Sequence, residues 1–255
     1  MKIYLWIRRT KEYYNMTVKN NNGIDKSYYL EHIDKPLQIT KWAKRTENGL
    51  MTWRLFFEMP YLEFRKKMAE IAALTYEWNN FDGIFEYEDW DKLKSFKDVW
   101  ILPIDEDDWL NPNCVKTLRS LDLDKIEVVR WKVYITDYKG IFQLDNEDFL
   151  FYQATRSCSY ITRNINKDMI NFDYAMDSFI KKNRKRVLDI DDYLSVKLDH
   201  LGSISCLRTF NAEFFVEQIR QHYLMQKTSF SEEYNHLIDL YNELYTELYK
   251  SFRLK

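Results

Sequence analysis

Six apolar residues, Val99-Trp100-Ile101-Leu102-Pro103-Ile104, run directly into four adjacent carboxylates, Asp105-Glu106-Asp107-Asp108. A run this short and this apolar suits a buried strand with a proline near its end. Burying it places the carboxylates at the strand's carboxyl end, the edge at which open α/β sheets form ligand crevices. Four neighbouring negative charges repel one another and are easiest to hold ionised with a cation among them. Hard oxygen ligands favour Mg²⁺ or Mn²⁺, ions that commonly bridge protein to phosphate. Alternate side chains of an extended segment share a face, so Asp105 and Asp107 form the expected metal pair, with Asp108 beside them. The same carboxylates also suit a solvated loop that caps the helix after Asn111-Pro112.

The flanking segments say what this strand belongs to. Lys2-Ile3-Tyr4-Leu5-Trp6-Ile7 reads as a first strand that ends in a polar loop at Arg8-Arg9. Residues 10–50 are polar and weakly periodic, with a turn signal at Asn20-Asn21-Asn22-Gly23, and irregular structure is expected there. From Phe64, the positions Met68, Ile71, Ala72, Thr75 and Trp78 recur at helical spacing opposite Arg65, Lys66, Lys67 and Glu70. A helix is expected after Asn111-Pro112, with Val115, Leu118 and Leu121 inward. A strand is expected over Ile126–Ile135, closed by a turn from Tyr138-Lys139-Gly140. Strand, helix, strand, helix, strand argues for an α/β chain.

After about residue 205 the character turns helical, beginning near Asn211. It includes a long segment that follows Ser229-x-x-Glu232, a pattern of capping-box form. Tyr234, Leu237, Tyr241, Leu244, Leu248 and Phe252 make its apolar stripe, expected to pack on the preceding domain or on a second subunit of a homo-oligomer. The expected division is a domain over 1–205 and a helical extension over 206–255.

Composition narrows the function classes. A net charge of −2 with 31% charged residues leaves no whole-chain polybasic surface, so any anionic partner must be met locally. Cys114, Cys158 and Cys206 form no CxxC pair, which points away from a disulfide framework or a zinc knuckle and toward a reducing cytoplasm. No run approaches the roughly 18 apolar residues of a membrane span, and the first ten residues hold too short an apolar stretch for a signal peptide. A soluble intracellular protein is expected. Lys181-Lys182-Asn183-Arg184-Lys185-Arg186 places five cations in six residues. That run suits a nucleic-acid backbone, a donor diphosphate or an anionic glycan. It equally suits a solvated loop neutralised by Asp189, Asp191 and Asp192. Nearby Phe172, Tyr174, Phe179 and Tyr193 suit stacking on sugars or bases, or core packing.

The string Trp100-Ile-Leu-Pro-Ile-Asp-Glu-Asp-Asp-Trp-Leu-Asn-Pro resembles the Asp-x-Asp region of GT-A glycosyltransferases. A second stretch, Asp192-Tyr-Leu-Ser-Val-Lys-Leu-Asp-His-Leu-Gly-Ser-Ile-Ser205, is similar to one found late in some small bacterial and phage glycosyltransferase-like proteins. The resemblance covers roughly residues 1–15 and 60–205. It implies a GT-A-like, Rossmann-like central mixed sheet flanked by helices, with a C-terminal helical extension. It implies Mn²⁺ or Mg²⁺ on the diphosphate of a nucleotide-sugar, UDP-sugar first among them, with His200 completing the metal site. It places Arg8 to Thr10 and Arg65 toward the nucleotide. Asp191 and Asp192 are the candidate bases that take the acceptor's proton if configuration inverts. The acceptor is a glycan hydroxyl, or a hydroxylated base in phage DNA.

Two other classes compete. One is a metal-dependent nuclease or phosphotransferase using Asp105, Asp107 and Asp108, although two-metal chemistry ordinarily needs more separated carboxylates. The other is a nucleic-acid-binding protein using the Lys181 to Arg186 run. No GxxxxGK[ST] loop is present to support an ATP-dependent kinase of that family.

Overall fold

In the computed structural model, the described residues are 1–8, 36–39, 44–45, 51–52, 55–137, 140–143, 157–163, 173–198 and 232–251. Their strands are β1 (Lys2–Arg8), β2 (Pro36–Ile39), β3 (Lys44–Arg45), β4 (Met51–Thr52), β5 (Leu55–Pro60), β6 (Gly83–Glu86), β7 (Val99–Asp105), β8 (Trp109–Leu110), β9 (Val128–Asp137), β10 (Gly140–Gln143), β11 (Tyr160–Thr162) and β12 (Val187–Leu198). Their α-helices are α1 (Tyr61–Glu77), α2 (Trp90–Leu93), α3 (Cys114–Arg119), α4 (Asp173–Lys182) and α5 (Asn235–Ser251). The chain is a mixed α/β protein whose main sheet runs in the order β6-β1-β7-β11-β9-β12-β8.

The chain forms two compact units. The first comprises Met1–Glu12, Ala72–Ile135 and Gln143–Lys197; the second comprises Tyr13–Ile71, Thr136–Phe142 and Leu198–Lys255. The division expected from sequence is 1–205 and 206–255. Residues Tyr13–Ile71 group with the C-terminal segment because β5 packs against α5, far apart in sequence. Within the stretch expected to be irregular lie β2 and β3, which pair antiparallel with β5 and β4 just beyond it. Strands of two to four residues, as β2, β3 and β4 are, carry little period-2 signal, so pairing rather than pattern defines them. Of the α5 stripe, Tyr234, Leu237, Tyr241 and Leu244 are buried. The start of helix expected near Asn211 lies outside the described residues.

In the first unit, β1 lies between β6 and β7 and is parallel to both. Its positions from Ile3 to Ile7 are buried on both faces, as a central strand of a parallel run requires. One face carries Tyr4 and Trp6 into a cluster with Phe85, Trp90, Leu93, Val99 and Ile101. Trp6 stacks on Tyr87 at 5.6 Å and meets Trp90 at 4.9 Å between ring centroids. The next strand across, β11, is antiparallel to β7 and to β9. The helical period read from Phe64 appears as α1, with Met68, Ile71, Ala72 and Thr75 buried.

Among the described residues, no helix is long and apolar enough to cross a membrane. Cys114 and Cys158 are buried free thiols, and burial raises both above the usual thiol range.

Candidate functional site at the carboxyl ends of β1 and β7

The chain leaves β1, returns as β6 on one side of it, and continues into β7 on the other side. Between β1 and β7 the direction of winding therefore reverses, and such switch points at strand carboxyl ends are where open α/β sheets bind ligands. Register carries Arg8 to Asp105 as the last matched pair of the two strands. Arg8, itself buried, places both Nε and an Nη atom 2.8 Å from Asp105 Oδ1.

Immediately after Asp105 the chain turns. Asp108 donates its backbone N–H to the Asp105 carbonyl, and Glu106 donates its own to the Arg8 carbonyl. The turn feeds β8, which pairs antiparallel with β12, Ser195 opposite Leu110 and Val196 opposite Trp109. One residue further along the same register is Lys197, opposite Asp108. Its ammonium lies 2.9 Å from Asp105 Oδ2 and 3.0 Å from Asp108 Oδ2.

The end of α1 braces the turn from behind. The Tyr76 hydroxyl donates toward the carbonyls of Asp108 at 3.1 Å and Asp105 at 3.3 Å. Thr75 Oγ1 accepts the Leu110 N–H, and Asn79 bonds both the Asn111 carbonyl and the Val115 N–H. Each satisfies a backbone group that would otherwise be buried unpaired. Glu106, Asp107 and Asp108 are all buried despite their charge.

Electrostatics follow from this packing. Burial pushes the Asp105 carboxyl up, but Arg8 and then Lys197 outweigh it and bring the group down to about 2. Burial works against the Lys197 charge in the same way, and Asp105 and Asp108 overcome it, raising its pKa well above the usual lysine range. Burial and the four carboxylates together keep the Tyr76 hydroxyl protonated.

The expected metal set fits this arrangement poorly. Asp105 and Asp108 are bridged by an ammonium, and Asp105 presents its other oxygen to Arg8. Among the described residues, no group of three His, Cys, Asp or Glu side chains is arranged to hold a metal ion. His200 and Thr10 lie outside the described residues. Arg65 falls in α1, but its side chain is outside them as well.

Asp191 and Asp192 are not brought to the turn. They precede Lys197 on β12 by six and five residues, about 20 and 17 Å along an extended strand. Asp191 is exposed and pairs with Lys132 at 2.5 Å. Asp192 helps line a cleft of about 490 Å³ with Asn111, Asn113, Lys116, Thr117 and Tyr193. The Arg130–Asp189, Lys132–Asp191 and Tyr134–Tyr193 contacts step two residues at a time along β9 and β12.

In the basic run, Arg184 pairs with Asp189 and Arg186 with Glu127, and all five cations of the run, these two arginines included, are exposed. Phe179 packs on the cluster of Val128, Tyr160, Met176 and Ile180. Two residues central to the turn, Lys197 and Tyr76, had no role from sequence. The alternation Leu194-Ser-Val-Lys-Leu198 gives no signal for Lys197, because it puts that residue with Ser195 on the polar face of the strand.

No family model matches the chain, and no curated protein matches it. Among solved structures it is similar to S. aureus TarS 1-349 in complex with UDP-GlcNAc, with 14% sequence identity, 99% of this chain and 74% of that chain covered, and a TM-score of 0.38. At that identity and TM-score the likeness decides neither fold family nor function.

Proposed function

We propose that the chain is a glycosyltransferase that binds a nucleotide-diphosphate-sugar, a UDP-sugar first among them, where β1 and β7 end. The observation that carries this reading is the Arg8–Asp105 pair, set by strand register at the sheet's switch point and continued into a buried acidic turn. Arg8 supplies positive charge at this strand end while Asp105 holds its Nε and an Nη. The acceptor's hydroxyl oxygen bonds to the anomeric carbon as the bond from that carbon to the diphosphate oxygen breaks. The diphosphate leaves with the electron pair, and the hydroxyl proton passes to a base. The acceptor in this reading is a glycan hydroxyl, with a hydroxylated base in DNA as the alternative for the exposed basic run.

The test is thermal unfolding of the full chain against a panel of UDP-, GDP-, ADP- and CDP-sugars, because a ligand bound only by the folded state raises Tm. A rise with one donor, lost in Arg8→Gln, supports the reading. No rise with any donor, alongside stabilisation by DNA, sinks it.

A further inference from the structure

We propose that Lys197 is the resident cation of the acidic turn: its ammonium holds the place between Asp105 and Asp108 that a divalent ion would take, and the turn works without metal. This deepens the nucleotide-sugar reading and rests on it. Three observations carry it. Lys197 Nζ stands at hydrogen-bond distance from one oxygen of each carboxylate, 2.9 and 3.0 Å, as a bridging cation does. The second oxygen of Asp105 is held by Arg8, so a divalent ion on that carboxylate would stand within a few ångströms of two fixed positive charges. Finally, Lys197 is placed by backbone pairing, because β8 and β12 are in register at the two preceding positions.

Displacing Lys197 would strip the fully buried Asp108 of a charge partner that this register supplies. An ammonium is a compact point charge, able to fill the electrostatic role of a small cation, and Arg8 adds a second positive group on the same carboxylate. The consequence is a site whose charge balance is built from side chains and whose ligand binding is indifferent to chelators.

The test uses the full chain with UDP, GDP, ADP and CDP as probes. Crystals grown with manganese chloride and UDP are measured for anomalous scattering at the manganese edge. Nucleotide-induced Tm shifts are recorded in EDTA and in Mn²⁺. The expected result is no manganese peak within coordination distance of Asp105, Asp107 or Asp108, and a nucleotide shift of equal size in both media. Lys197→Met should then weaken nucleotide binding by about tenfold or more, and Lys197→Arg should recover most of it, since charge at the phosphate is what changes. A manganese peak on those carboxylates, a shift that requires Mn²⁺, or unchanged affinity in folded Lys197→Met overturns the assignment. If no nucleotide shifts Tm in any medium, the nucleotide-sugar reading fails separately, and the manganese map alone decides whether Lys197 or a metal holds the turn.

Discussion

Lys197 faces Asp108 because β12 and β8 are in register, Ser195 against Leu110 and Val196 against Trp109, and the next step of that ladder joins a cation to a fully buried carboxylate. Breaking a buried ion pair from one side leaves the other charge uncompensated. Lys197→Met is therefore expected to cost about 3 kcal/mol of folding stability. Urea unfolding of both proteins measures it, and a loss under about 1 kcal/mol would mean that Asp108 is neutralised in some other way.

Asp105 makes stability depend on acid. Its carboxyl lies near 2 when folded, against 3.8 for the unperturbed group. The stabilisation is thus fully present above about pH 4 and disappears as pH falls through about 2. The expected size is about 2 kcal/mol at neutral pH. Comparing unfolding free energies at pH 5 and pH 2 should show a smaller drop in Asp105→Asn than in the native chain. An equal drop would assign the acid sensitivity to other carboxylates.

Tyr76→Phe removes one hydroxyl and nothing else. The carbonyls of Asp105 and Asp108 then lose the donor that α1 presents to them. A loss of about 1 kcal/mol is expected, the usual net contribution of one hydrogen bond, because the Asp105 carbonyl keeps the Asp108 N–H. An unchanged urea midpoint would show that the turn holds its shape without this brace.

Gly83 opens β6 where the backbone comes close to two rings. A Cβ there would stand 3.0 Å from Phe85 Cε2 and 3.2 Å from Tyr4 Cδ1. Both rings belong to the cluster around Trp6, so neither moves without disturbing its neighbours. Gly83→Ala is expected to destabilise by about 1–2 kcal/mol through overpacking. A raised Tm would instead mean that the rings yield and that the lost backbone freedom dominates.

Asp191 and Asp192, the candidate bases, stand apart from the acidic turn along β12. In an extended strand the five residues from Asp192 to Lys197 span about 17 Å. Lys132 also takes up Asp191, through a contact between β9 and β12 that the sequence does not advertise. The sequence pattern makes Asp107 and Asp108 metal ligands beside Asp105, and the structure buries both.

By itself the sequence determined what depends on near neighbours. The apolar run Val99–Ile104 makes a buried strand, its carboxylates follow at the carboxyl end, and Met68, Ile71, Ala72 and Thr75 mark the buried face of a helix. Each is a matter of period and polarity within a dozen residues, which local hydrophobic burial enforces. Tertiary structure alone decided that β5 joins α5, that Arg8 meets Asp105, and that Lys197 neutralises Asp105 and Asp108. Those outcomes depend on strand order and register between segments far apart in the chain. A one-residue slip would send every side chain of a strand to the opposite face, so the partner of a buried charge is defined only when the whole sheet has assembled.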